Sequence, residues 1–266
     1  MKRTPLVADQ FYPGDRDDLI TTLNRLIPSH EEKQKALGIV SPHAGYIYSG
    51  SVAGETMGRV HIPKSVIILG PNHSGRGKPV SLSTNTWEMA MGDVPIDMDL
   101  AGALLGKGSP IEEDEVAHNH EHSLEVQVPF LQSLQKELAI VPLCISHIPY
   151  STCQTVADTI ARAVKLSGKD VLIVASSDMS HYESRQSAQE KDHMALEKLL
   201  ALDPEGLYNT VINNRVSMCG IMPVTIMLLG CLQLGATEAT LVRYTDSGEV
   251  SGDTSQVVGY AGAVIS

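Results

Sequence analysis

Short apolar runs alternate along the chain with segments whose apolar residues recur at helical spacing. Ala36 to Val40, Ser65 to Leu69, Ala139 to Leu143 and Val171 to Ala175 are aliphatic runs too short for helices, and they predict buried strands. Pro79 to Leu82, Ala239 to Arg243 and Val257 to Ile265 are further strand candidates. Between the runs, Leu124, Val128, Leu131 and Leu134 share one helical face. Ser151-Thr152-Cys153-Gln154 has the form of a capping box and predicts a helix with Val156, Ile160 and Val164 turned inward. Asp203-Pro204 joins a capping residue to a first-turn proline. Pro223 is expected to open an apolar helix that Gly235 closes. The alternation predicts an α/β layer architecture, one domain over residues 1–266 around a central sheet flanked by helices. The last strands have no helical pattern between them, so the sheet is expected to be mixed.

Composition removes several function classes. The 266 residues hold 20 Lys+Arg against 31 Asp+Glu, a net charge of −11. Such a chain offers no basic stripe for nucleic acid and disfavours an anionic membrane surface. At 42% hydrophobic and 19% charged it reads as a folded globule, and 4% aromatics leave the core aliphatic. The apolar stretch Ile221 to Leu234 is interrupted by Pro223, Gly230 and Gln233 and is too short for a bilayer. No apolar segment follows Met1-Lys2-Arg3-Thr4-Pro5, so the expected location is the cytoplasm. Cys144, Cys153, Cys219 and Cys231 form no CxxC pair and no disulfide scaffold. Cys144, Cys153 and Cys231 fit apolar patterns and are expected in the core.

Three predicted strands end in polar sequence. Gly38-Ile39-Val40 runs into Ser41-Pro42-His43, Val66 to Leu69 into Gly70-Pro71-Asn72-His73, and Val171 to Val174 into Ser176-Ser177-Asp178-Met179-Ser180-His181. Ligands of open α/β sheets bind beyond the carboxyl ends of strands. Any one of these histidines could cap a loop. At equivalent ends of parallel neighbours, His43, His73, Asp178 and His181 would converge on one crevice. Cys219 precedes the helix of Pro223, where a helix N-terminus would favour a thiolate able to bind metal or attack. In His118-Asn119-His120-Glu121-His122, the first two histidines are expected in a solvated loop, and His122 with Glu121 at a helix start facing the crevice. His30, His61, His147 and His193 stand alone and are expected to be surface or structural. Gly70 to Gly75 has P-loop spacing, but Arg76 replaces the required Lys, and no Gly-x-Ser-x-Gly elbow exists.

The blocks Ala8 to Asp15, Pro42 to Gly50, Leu69 to His73, Gly92 to Pro95, Glu121 to Glu125, Ser176 to His181 and Cys219-Gly220 together resemble the Memo family, including the prokaryotic members of the AmmeMemoRadiSam system. The resemblance implies a fold similar to class III extradiol dioxygenases, which hold non-haem Fe(II) with two His and one carboxylate. It implies a metal on His43, His73 and Cys219, with Asp178 and His181 as catalytic groups of the same pocket. Phe11, Tyr48 and His122 would contact substrate, Phe11 standing where some members carry Trp. Two imidazoles and a thiolate suit Fe(II) first, with Cu or Zn as alternatives. Three ligands leave positions open, as catalytic sites require. Asp178 could be a fourth ligand or orient an imidazole, and His181 could move a proton. Cys219 in place of the carboxylate disfavours the usual dioxygenase cycle.

Three functions follow from this resemblance. One is a metal-dependent redox enzyme acting on a small molecule, with a radical-SAM protein and other members of the system as partners. Another is a zinc-type hydrolase using the same ligands. The third is a non-catalytic metal- or ligand-binding protein. A eukaryotic branch is associated with phosphopeptides, which the −11 charge disfavours as ligands here.

Overall fold

The computed structural model describes residues 1–29 and 32–266. His30 therefore lies outside the described residues. The strands are β1 (Lys2–Arg3), β2 (Gly38–Ser41), β3 (Ser65–Pro71), β4 (Val80–Leu82), β5 (Thr86–Trp87) and β6 (Glu112–Glu113). They continue with β7 (Ala139–Ile145), β8 (Val171–Ser176), β9 (His181–Glu183), β10 (Ala239–Asp246) and β11 (Val257–Ile265). The helices are α1 (Arg16–Leu26), α2 (Tyr46–Gly58), α3 (Met98–Leu104), α4 (Val128–Leu134) and α5 (Tyr150–Ser167). After them come α6 (Arg185–Leu200), α7 (Pro204–Asn213), α8 (Ile221–Gln233) and the single turn α9 (Gly248–Ser251).

Among the described residues, a nine-stranded mixed sheet runs β10-β11-β2-β8-β3-β7-β4-β6, with β9 paired to β11. Its centre, β2-β8-β3-β7, is parallel. These strands are buried along nearly their whole length, which is why they read as unbroken aliphatic runs instead of alternating ones. β11 runs antiparallel to both β10 and β2, as the helix-poor C-terminal strands predict.

Helices cover both faces. A Cβ on Gly38 would press into Met227 and Cys231 of α8, and one on Gly262 into Thr56 and Val52 of α2. Gly38 pairs with Ile265 and Ala263 with Val40, so Gly262 points to the other face. α8 and α2 thus lie on opposite sides, and the two glycines let each helix approach the strands. α8 is buried almost all round, which explains its uniformly apolar sequence. Cys144, Cys153 and Cys231 are fully buried in the core.

Two helix starts differ from expectation. α5 begins at Tyr150 behind Pro149, and no side chain caps it, so Ser151 and Gln154 lie within the helix instead of forming a capping box. The proline fixes an extended entry two residues earlier than the box. α8 begins at Ile221, two residues before Pro223, where a proline still loses no intrahelical bond. Asp203 caps α7 as expected, accepting from the Gly206 N–H. No helix among the described residues is long and apolar enough to cross a membrane.

Candidate metal centre

β2, β8 and β3 are parallel neighbours, so their carboxyl ends lie side by side. His43 and His73 each follow the last strand residue by two positions, as does Asp178 after β8. His122 arrives from the loop before α4, and Cys219 from the loop before α8. Among the described residues, one donor group could hold a metal ion: ring nitrogens of His43, His73 and His122, all within 4.8 Å of one another. The His73 and His122 rings stack at 5.0 Å, and His43 meets them edge-on at 5.3 and 5.7 Å. Cys219 Sγ lies 3.3 Å from His43 Nε2.

Hydrogen-bond accounting sets the tautomers. Ser176 Oγ donates its single proton to the Ser123 carbonyl at 2.7 Å, and it accepts from Gln127 Nε2 at 2.8 Å. His43 Nδ1, 2.9 Å away, must then be the donor. The lone pair of the neutral ring is left on Nε2, facing Cys219. Glu121 does the same for His73. Its carboxylate accepts from Nδ1 at 2.9 Å and from the His73 backbone N–H at 2.7 Å. The Ser123 N–H donates to it as well, at 2.8 Å. A carboxylate behind a ligating imidazole fixes ring orientation and raises basicity.

The electrostatics follow from burial and from these bonds. Burial, reinforced by His73 and His122, pushes His43 well below the usual imidazole range. Burial also lowers His122. His73 is raised: burial opposes its charging, but the Glu121 hydrogen bond outweighs it. Burial likewise opposes ionisation of Glu121, yet hydrogen bonds from His73 and Ser123 hold it down at about 2. His43 and His122 are thus biased toward the neutral ring and Glu121 toward the carboxylate, while a cation would displace the proton that Glu121 favours on His73.

Cys219 corrects an expectation. Burial and the neighbouring Asp178 push its thiol well up, not down. It sits just ahead of Gly220, the cap of α8, and desolvation outweighs the helix terminus there. Without a bound cation it is a neutral thiol.

The other expected residues sort as follows. Asp178 is buried, and burial raises its carboxyl; its Oδ1 accepts the His43 backbone N–H at 2.7 Å, so it holds His43 by the main chain and not by the ring. His181 is half-buried. Its N–H donates to Ser217 Oγ at 2.7 Å and its Nδ1 faces the Ser217 carbonyl at 3.0 Å, and among the described residues Nε2 has no hydrogen-bond partner. Phe11 packs edge-on against His122 at 4.9 Å and walls the group. Tyr48 opens to solvent from the first turn of α2, with no ring contact or hydrogen bond to the histidines among the described residues. His122, expected to face substrate, is the third member of the nitrogen group. His118 is not solvated: it is buried, its Nε2 against the Ser81 carbonyl at 3.0 Å. His120, His61, His147 and His193 are exposed. An apolar cavity of about 360 Å³ between Leu37, Ile62, Val164 and Leu234 lies at the amino ends of the strands, away from these groups.

Ser176 and Gln127 were not anticipated as site residues. The polar Gln127 between the apolar Val126 and Val128 is the available signal.

Residues 3–264 match the family described as Memo-like protein. MEMO1 family proteins of Methanosarcina mazei and Aquifex aeolicus are each 40% identical over 265 residues, covering 99% and 98% of this chain and 98% of either relative. The crystal structure of an uncharacterized protein from Escherichia coli K12 shares the fold at a TM-score of 0.51 and 14% identity, covering 86% of this chain and all of that one.

Proposed function

The chain belongs to the Memo-like protein family, and we propose that its histidine pocket holds a divalent metal, Fe(II) first, for a redox reaction on a small molecule. One observation carries the reading: the bonds of Ser176 and Glu121 turn the Nε2 lone pairs of His43 and His73 outward, into a group that His122 completes. The residues fit such a cation, because two of the imidazoles are neutral and a thiol stands 3.3 Å from His43 Nε2. In this reading His43, His73 and Cys219 are the ligands, and His122 is a fourth donor that substrate can displace. Soft sulfur with imidazole favours Fe(II), Cu or Zn over Mg or Ca. The bound metal would supply a Lewis acid and an electron carrier.

The protein's own groups do the rest. Phe11 shields the His122 side from water. Asp178 holds the His43 main chain, and Ser176 holds its ring. His181, with Nδ1 committed to Ser217, offers Nε2 to take or give a proton. The reading carries with it a small-molecule substrate and a radical-SAM protein of the same system as functional partner.

The test is metal content of protein purified without oxygen, then Fe(II) titration of the stripped chain. One equivalent per chain, lost in His43→Ala and His73→Ala, supports the reading. Stoichiometry unchanged in both variants overturns it.

A further inference from the structure

The segment carrying Asp178 and His181 is held from outside the pocket, at one point, by a buried acid on a different layer. Asp192 of α6 has no exposed surface. Its Oδ1 accepts the Ser180 N–H at 2.9 Å, and its Oδ2 accepts the Tyr244 hydroxyl at 2.8 Å. Ser180 lies between Asp178 and His181, directly before the histidine, so this bond helps fix the turn that aims both. β11 grips the same turn from the other side: the Met179 N–H donates to the Gly259 carbonyl at 2.8 Å, and the Gly259 N–H to the Ser180 carbonyl at 2.9 Å. Gly259 is the one residue type that fits, because a Cβ there would collide with Asp192 Oδ2.

Nothing else accounts for an acid at this place. Among the described residues it has no salt-bridge partner, and burial raises its carboxyl. Burying a carboxyl without a cation is unfavourable, and an apolar side chain of similar volume is usually more stable. An apolar side chain, however, would orphan the buried Ser180 N–H and release the turn. We infer that Asp192 is a positioning residue of the pocket, holding the Asp178–His181 turn through Ser180 and itself aimed by Tyr244. The inference rests on the reading of this pocket as the functional site, but the position of the turn can be measured without any metal.

The experiment compares the full chain with Asp192→Ala, Asp192→Asn and Tyr244→Phe. Hydrogen exchange reads the Ser180 amide, and NMR of the histidine rings reads His181, assigned with His181→Gln. Asp192→Ala should speed exchange at Ser180 by about tenfold, the loss of one hydrogen bond, and move the His181 ring signals, while α6 keeps its protection. Asp192→Asn retains the Oδ1 acceptor, and the Tyr244 hydroxyl can turn to accept from its amide, so it should restore both readouts. Tyr244→Phe should give an intermediate shift. Cobalt stoichiometry should stay the same in all four proteins, and the titration of the unaltered chain judges the metal reading separately. Unchanged Ser180 exchange and His181 signals in Asp192→Ala would overturn the inference. So would Asn behaving like Ala. If Asp192→Ala does not fold, Asp192→Asn and Tyr244→Phe decide: an unmoved His181 in Tyr244→Phe, or a displaced one in Asp192→Asn, counts against it.

Discussion

Glu121 and Glu125 stand four residues apart on the approach to α4, both with no exposed surface, yet they hold different things. Glu125 faces away from the histidines. It takes Arg3 Nη1 at 2.8 Å, the Leu6 and Val7 N–H groups, and the Tyr12 hydroxyl at 2.8 Å. Arg3 also donates to the Glu121 carbonyl at 2.7 Å and lies over the Trp87 ring at 4.2 Å. This knot ties the N-terminal segment, and with it Phe11, across the histidine loop. Glu121 points the other way, and its partners are His73 and Ser123. Burying a carboxylate is costly in both cases. In one the return is a fixed wall; in the other it is a fixed imidazole. Exposure alone cannot tell a structural acid from a site acid, but its partners can.

The contrast breaks most visibly at Glu125. Glu125→Ala strands Arg3 and should destabilise the chain by about 3–5 kcal/mol, read as a lower urea midpoint. A loss below about 1 kcal/mol would mean that the N-terminal segment is held by other contacts. Glu121→Gln should do less to stability and more to the site. Losing the carboxylate behind His73 should weaken metal binding by about 10–100-fold, measured by competition titration. If the two variants exchanged these phenotypes, the assignment of roles would be wrong.

A weaker effect is expected from pH. Glu121 is depressed in the folded chain to about 2, below the ordinary value of 4.5. Its contribution is therefore fully present above about pH 4.5 and is lost as pH falls through about 2. Metal-free protein carrying Glu121→Gln should show a shallower stability loss across that window than the parent. Parallel curves would argue against the depressed carboxyl.

The smallest expected effect is on reactivity without any loss of fold. Cys219 is a neutral thiol in the metal-free state, so at pH 7 it should alkylate slowly, not rapidly. Mass-spectrometric labelling reads this, and fast labelling of metal-free Cys219 would restore the thiolate that the helix terminus predicts.

Much of this was legible from local pattern. His43, His73 and Asp178 stand where aliphatic runs stop and polar residues begin, and a parallel sheet must bring such ends together. The rest depended on contacts distant in sequence. Ser176 sets a tautomer only because Ser123 and Gln127 meet it from another layer. His118 reads as a solvated loop residue, yet it is sealed against Ser81, while His122, expected to face the crevice, joins the donor group. The Cys219 thiol departs from expectation because a helix terminus is visible locally, whereas burial beside Asp178 is not. The α5 box failed for a related reason: Pro149 decided the start before Ser151 could.

The central claim is that His43 and His73, with Cys219, hold a metal. Cobalt(II) titration of the stripped full chain, followed by visible and near-ultraviolet absorption, tests it most directly. The account predicts one equivalent per chain, ligand-field bands that vanish in His73→Ala, and a sulfur-to-cobalt charge-transfer band that vanishes in Cys219→Ser. Uptake without the charge-transfer band would remove the thiolate and leave the three histidines as the ligand set. No saturable uptake at all would contradict the metal site.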